Sequence, residues 1–402
     1  MVSRRPRGAG RPAREIAAER RRRIDCRMGR PSGAKLCVLL LVALALCPAA
    51  GCGDAVDTGA GHRFALPAAS DGAGPLVVWD AVRAAGDWEE SEVVAARLGA
   101  EDAPVVLSEA RWASCNALSR RWLAWEQTGI RKDGLPTASV YDLDTGRRVW
   151  VDRSSSGGKA PRVSGSTLVW LRGGGSRWDL MSLRLPDGEE QALVSHRWPM
   201  LSPAVAGPWV VWTDRRRGAE NSDIYGYNLD TGEERAICTA PGSQQGADVS
   251  GPWVVWTDYR RSAGQAEIYE NADIYGYNLD TGEERLICDA PGSQGSPAAS
   301  GSWVVWDDYR RSPSGGDIYD DADIYENADI YGYNLDTGEE RLICDAPGSQ
   351  LSPDISGPWV VWTDHRRGVD DADIYGYDLR TGEERAVCRD PGTQRNPLLP
   401  SD

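Results

Sequence analysis

The chain has 402 residues, of which 41% are hydrophobic, with one Phe against 17 Trp and 14 Tyr. Its 60 acidic and 45 basic residues leave a formal charge of −15. A surface of that sign repels polyphosphates and anionic lipid heads, which argues against nucleic acid as a partner.

In chain order, the first element is a targeting segment. Residues 36–50 (LCVLLLVALALCPAA) follow Arg30 and Lys35 as a short apolar run of signal-peptide length, too short for a comfortable membrane span. The Arg-rich stretch before Met28 makes an abnormally long leader, so Met28 is the expected true start. A long leader and a nucleic-acid-binding arm are the alternatives. Ala49-Ala50-Gly51-Cys52 resembles the bacterial lipoprotein signal, although Ala49 stands where that family usually has Leu. The resemblance implies cleavage before Cys52 and its diacylation, with simple secretion as the other reading. A lipid on Cys52 is then the only membrane attachment and needs no spanning helix. Residues 1–51 carry 12 basic and 3 acidic residues, so the remainder holds 33 and 57, a net −24. The expected divisions are a leader over 1–51, a linker over 52–64 and a folded domain over 65–402.

Seven segments then recur around an apolar-Trp pair, from LVVWD (76–80) to WVVWT (359–363). Their second tryptophans, Trp79, Trp125, Trp170, Trp212, Trp256, Trp306 and Trp362, are 46, 45, 42, 44, 50 and 56 residues apart. A unit near 44 residues fits a four-stranded propeller blade. Within residues 246–294, ADVS, WVVWTDY, DIYGYNL and ERLIC read as four strands, and nothing reads as a helix. Asp280-Thr281-Gly282 makes a tight turn with positive φ expected at Gly282. The first unit is the weakest, with SEVVAARLG (91–99) in the third-strand place. Residues 268–294 and 324–350 are identical, so the C-terminal units look recently copied.

The phrase "SG-WVVWTD-R…DIY-YNLDTGEER" is similar to the TolB-like β-propeller repeats of bacterial envelope and archaeal surface proteins. The likeness spans residues from about 65 to 402, with Ser-Gly in place of the usual Ser-Pro-Asp-Gly turn and Ile-Cys in place of the closing Leu-Thr. It implies an all-β fold, a propeller of four-stranded blades closed by pairing the chain ends, most naturally with seven blades. Six or eight are the alternatives, should the first unit be misread or HRFALPA (62–68) complete the last blade. About a dozen residues join Cys52 to the first unit, so membership of the Tol–Pal system is not implied.

Catalytic groups are sparse. The three histidines, His62, His196 and His365, occupy unrelated places, and no zinc-helix, nucleophile-elbow or P-loop motif occurs. No cofactor is expected. Cys238, Cys288, Cys344 and Cys388 share one position in four units. Equivalent strands of adjacent blades lie about 10 Å apart, beyond disulfide reach, so these read as small packing residues. A basic pair recurs after the Trp strand: Arg215-Arg216, then Arg260-Arg261 behind Tyr259, Arg310-Arg311 behind Tyr309 and Arg366-Arg367 behind His365. Either these form a rim for an acidic or glycan partner, or the arginines neutralise the acidic DIY segment across the hairpin.

Residues 317–340, DIYDDADIYENADIYGYNLDTGEE, repeat a hexad almost three times. Unit spacings of 44, 50 and 56 differ by one and two hexads, and six is even, so each copy preserves the in–out alternation of a strand. Asp317, Asp320, Asp321, Asp323 and Glu326 are hard-oxygen candidates for Ca²⁺, but no DxDxDG loop is present and alternation divides them between faces. The expected function is a non-catalytic, lipid-anchored protein of the bacterial cell envelope, presenting its propeller to an envelope protein or polysaccharide. The alternative is a propeller enzyme or solute-binding lipoprotein that uses carboxylate and Tyr groups at the central channel.

Overall fold

Each repeat folds as the alternation in its residues dictates. In the fifth unit the strands are Gln244–Ser250, Trp253–Asp258, Asp273–Asn278 and Glu284–Cys288, paired antiparallel in sequence order. The second strand has no polar face because both of its faces meet a neighbouring sheet. Val254 and Trp256 pack with Val211 and Ile224 of the preceding blade, whereas Val255 packs with Val304 and Trp306 of the following one.

This computed structural model describes Leu66 and residues 74–85, 88–99, 103–108, 113–127, 137–152, 154–174, 176–262, 271–311 and 327–401. The leader, Cys52, and the acidic positions Asp317, Asp320, Asp321, Asp323 and Glu326 lie outside the described residues. Among the described residues, no helix is long and apolar enough to cross a membrane.

Seven four-stranded antiparallel sheets form the propeller. The alternatives of six or eight blades are thereby settled, and the last blade has its four strands within residues 350–388. The ring closes through the first blade, whose innermost strand is Thr393–Leu398 from the C-terminus, paired with Leu76–Ala85. Closure leaves the inner edge of that blade paired instead of open to other chains. Trp79, Trp125, Trp170, Trp212, Trp256, Trp306 and Trp362 are all fully buried.

The turns follow their residues as well. Gly282 has φ 75°, as its place after Asp-Thr requires, and Asn278 Oδ1 accepts the backbone N–H groups of Asp280 and Thr281. In the sixth blade the last hexad copy, Asp329–Asn334, forms the third strand. It sets Trp306 opposite Tyr331, as the fifth blade sets Trp256 opposite Tyr275. The longer spacing therefore leaves the register unchanged. One detail differs from the sequence reading: two single 3-10 turns, Ala219–Asn221 and Arg260–Ser262, carry the chain away from the second strands.

Candidate functional site

Where the second strand ends, Asp258 accepts three hydrogen bonds that explain the recurring words. Its Oδ2 takes the indole N–H of Trp256 at 2.8 Å and Nη2 of Arg260 at 2.7 Å, while Oδ1 takes the backbone N–H of Arg260. The guanidinium also reaches Glu284 at 2.7 Å and lies 3.9 Å above the ring of Tyr275. The same set recurs as Trp212–Asp214–Arg216–Tyr225, Trp306–Asp308–Arg310–Tyr331 and Trp362–Asp364–Arg366–Tyr375. These four arginines are 20–26% exposed. Pairing of this kind holds the charge in place and leaves little of it for a partner. Burial pushes the Asp214 carboxyl up, but the bonds from Arg216 and Trp212 outweigh it and hold the group below its ordinary range.

The second arginine of each pair faces the DIY aspartate: Arg217 with Asp223 at 3.0 Å, Arg261 with Asp273 at 3.2 Å, Arg311 with Asp329 at 3.4 Å and Arg367 with Asp373 at 2.8 Å. Neutralisation across the hairpin is thus part of every one of these blades. The structure also shifts the fourth-blade pair by one residue. Arg216 and Arg217 match Arg260 and Arg261, and Arg215 occupies the column of Tyr259, Tyr309 and His365. Three arginines in succession, Arg215 to Arg217, hid that offset from the sequence reading. Burial raises the DIY aspartates despite their arginines, Asp223, Asp329 and Asp373 to about 6 and Asp273 to about 7.

Cys115, Cys238, Cys288, Cys344 and Cys388 are buried and free. The last four lie in the interblade clusters, as small packing residues should. Burial pushes the Cys238 and Cys288 thiols up to about 12 and Cys388 to about 11, so none is a ready thiolate nucleophile. His196 shares Arg216 and Glu234, and burial lowers the pKa of His365.

The central channel brings together residues that sequence spacing had not singled out. One register position of the innermost strands carries Leu398, Ala117, Arg162, Ala204, Asp248, Ala298 and Asp354 around the ring, each opposite the equivalent second-strand residue. Arg162, Asp248 and Asp354 line a cavity of about 130 Å³. Asp248 Oδ2 accepts the N–H of Ala299, and Asp354 Oδ2 accepts that of Leu399, each from the next blade. Burial raises Asp354 to about 7, with Asp248 adding to the shift and Arg162 opposing it; Asp248 is raised as well. Aligning the seven units by this column would have found the three charges, since the other four residues there are apolar.

A wider cavity of about 310 Å³ opens at the end of the channel where the innermost strands begin, across the fourth to sixth blades. Asp307, Tyr259 and Tyr309 line it, so two tyrosines of the expected rim meet a carboxylate at the channel mouth.

No protein-family model and no curated protein matches the chain. Among solved structures, the propeller domain of the Trilobed protease from Pyrococcus furiosus is 14% identical over 79% of this chain and 96% of its own, with a TM-score of 0.57. The tricorn protease is 13% identical over 81% of this chain and 36% of its own, with a TM-score of 0.54. TolB from Acinetobacter baumannii is 14% identical over 81% and 82%, with a TM-score of 0.47. The Pyrococcus domain is described as having an open velcro topology, whereas here the C-terminal strand pairs with the first blade. At these identities the likeness establishes the β-propeller fold alone.

Proposed function

We propose that this protein is a non-catalytic binding scaffold of the bacterial cell envelope, anchored through lipid on Cys52, whose propeller engages an envelope protein or polysaccharide. One observation carries the reading: the recurring Arg, Asp, Glu and Tyr groups of the rim are paired with one another inside each of the last four blades. Their chemistry is spent on architecture, which leaves a rigid ring whose individuality lies in the residues that differ between blades. Buried, protonated thiols and a histidine held neutral supply no evident nucleophile. The acidic surface favours protein or glycan over nucleic acid.

A second reading, a solute-binding or catalytic channel, draws support from the convergence of Arg162, Asp248 and Asp354 on one cavity. Capture from solubilised envelope with the full lipidated chain tests between them. Recovery of a defined protein or polysaccharide that competes with excess soluble propeller is the expected result. Failure to recover any macromolecule, together with saturable uptake or turnover of a small solute lost in Arg162→Ala, overturns it.

A further inference from the structure

The second strands of the fourth to seventh blades read WVVWTD, WVVWTD, WVVWDD and WVVWTD. They differ at one position, Asp307, and that residue lines the mouth cavity. Its cross-strand partner also departs from the repeat. Leu201 and Leu351 face Thr213 and Thr363, and Gln245 faces Thr257, but Gly295 faces Asp307. A Cβ on Gly295 would sit 2.9 Å from Asp307 Oδ1, closer than such contacts allow. The two departures are coupled: removing a side chain at 295 makes room for a carboxylate at 307 and opens the cavity beside it.

The lining has a definite chemistry. It holds one carboxylate, the hydroxyls of Ser202, Ser296 and Thr257, and the tyrosines 259 and 309, with no Lys, Arg or His among the lining residues. Gln294 is buried, and its Oε1 has no hydrogen-bond partner in the structure, a feature shared by Gln244 and Gln350, which do not line this cavity. Asp307 takes the N–H of Ser352 at 3.2 Å, which keeps the carboxylate pinned between the sixth and seventh blades. With the amides of Gln245 and Gln294 also in the lining, a pocket of one carboxylate, hydroxyls and amides without a cation suits a ligand that brings hydroxyl groups and no negative charge. A volume of about 310 Å³ accommodates one sugar ring, and the two buried tyrosines give such a ring an apolar wall.

We propose that the mouth cavity framed by Asp307, Gly295, Tyr259 and Tyr309 binds a neutral pyranose unit of a glycan. The proposal deepens the binding reading above and rests on it. Anionic sugars are refused because Asp307 meets them with like charge and no arginine lines the cavity to offset it.

The test is titration of the full chain with methyl glycosides of neutral hexoses and N-acetylhexosamines, with methyl uronates and methylammonium as counter-probes, read by calorimetry and ligand-observed NMR. Saturable binding of a neutral glycoside is expected. Asp307→Thr restores the residue of the other three blades, and Gly295→Leu restores the residue of two of them. Asp307→Thr, alone and combined with Gly295→Leu, should keep the wild-type melting temperature to within a few degrees, yet weaken binding at least about tenfold, as loss of a charged acceptor implies. Gly295→Leu alone, which sets a side chain against Asp307, should weaken binding and lower the melting temperature together. Binding that both variants leave unchanged, preference for a uronate or for methylammonium, or no neutral glycoside bound at about 50 mM overturns the site. Capture of an envelope macromolecule is measured separately, so a scaffold without this sugar site and a sugar site without a macromolecular partner are distinguishable.

Discussion

Arg260 of the fifth blade touches Cys238 of the fourth, its Nη2 lying 3.3 Å from the sulfur. The contact repeats between Arg310 and Cys288, and between Arg366 and Cys344. Each arginine therefore closes its own blade through aspartate, glutamate and tyrosine while its outer nitrogen rests on the preceding blade. The shared cysteine column is the small, soft surface that admits it.

From that position, Arg260→Ala should destabilise the protein by about 2 kcal/mol, because it strips a buried aspartate of its main partner. Arg261→Ala should cost only about 0.5 kcal/mol, since Arg261 is 40% exposed and water screens its pair. Urea midpoints of the two variants, measured side by side, check the order; equal losses would contradict the division of roles drawn here.

The five described cysteines should react with an aromatic disulfide reagent only as fast as the protein unfolds. Burial shields them and keeps them protonated. Peptide mapping after labelling separates them from the four in residues 1–52. Rapid labelling of Cys238 or Cys288 in the native protein would show that the blade boundaries open.

Stability should fall as pH rises from about 5 to about 8. The DIY aspartates, Asp307 and Asp354 are all raised in the folded state, to about 6 or 7, mainly by burial. A carboxyl raised above its unfolded value favours the folded state fully below the unfolded pKa, and that contribution is lost as pH climbs through the folded one. Asp214 and Asp378 are lowered and act in the opposite sense, in the acid range alone. Melting curves across this interval give the slope, and Asp273→Asn should flatten it. A melting temperature that rises toward pH 8 would refute the assignment.

Removing residues 393–402 should cost far more than its length suggests. The first blade loses its innermost strand, and Trp79 loses the acceptor Gln394 Oε1 at 2.8 Å. Small-angle scattering should show a larger radius of gyration, with a melting temperature lower by about 10 °C or more. By contrast, deleting residues 315–326 takes out two hexads, preserves alternation, and should shift the melting temperature by no more than about 2 °C. The same deletion should leave calorimetric titration with Ca²⁺ unchanged; a sub-millimolar site lost with it would restore the metal reading of the acidic hexads.

Much of this architecture is written in the chain. Seven tryptophans at intervals near 44 residues determine seven blades, because one strand buried on both faces needs a sheet on each side. The even hexad determines that the duplicated segment keeps its register. Gly282 after Asp-Thr determines the turn. Local periodicity suffices for these features, since each depends on neighbours a few residues away.

The tertiary structure decided what depends on closure. Trp79 and Gln394 are 315 positions apart, and only the ring makes them partners. Arg162, Asp248 and Asp354 share a cavity because one register column points at the axis in every blade, a fact invisible until the units are wrapped in a circle. The sequence left open whether the paired arginines face a partner or their own blade. Folding resolved it by placing aspartate, glutamate, tyrosine and the neighbouring cysteine around each first arginine. The mouth cavity likewise exists only because Gly295 and Asp307, twelve positions apart in the chain, face each other across one pair of strands.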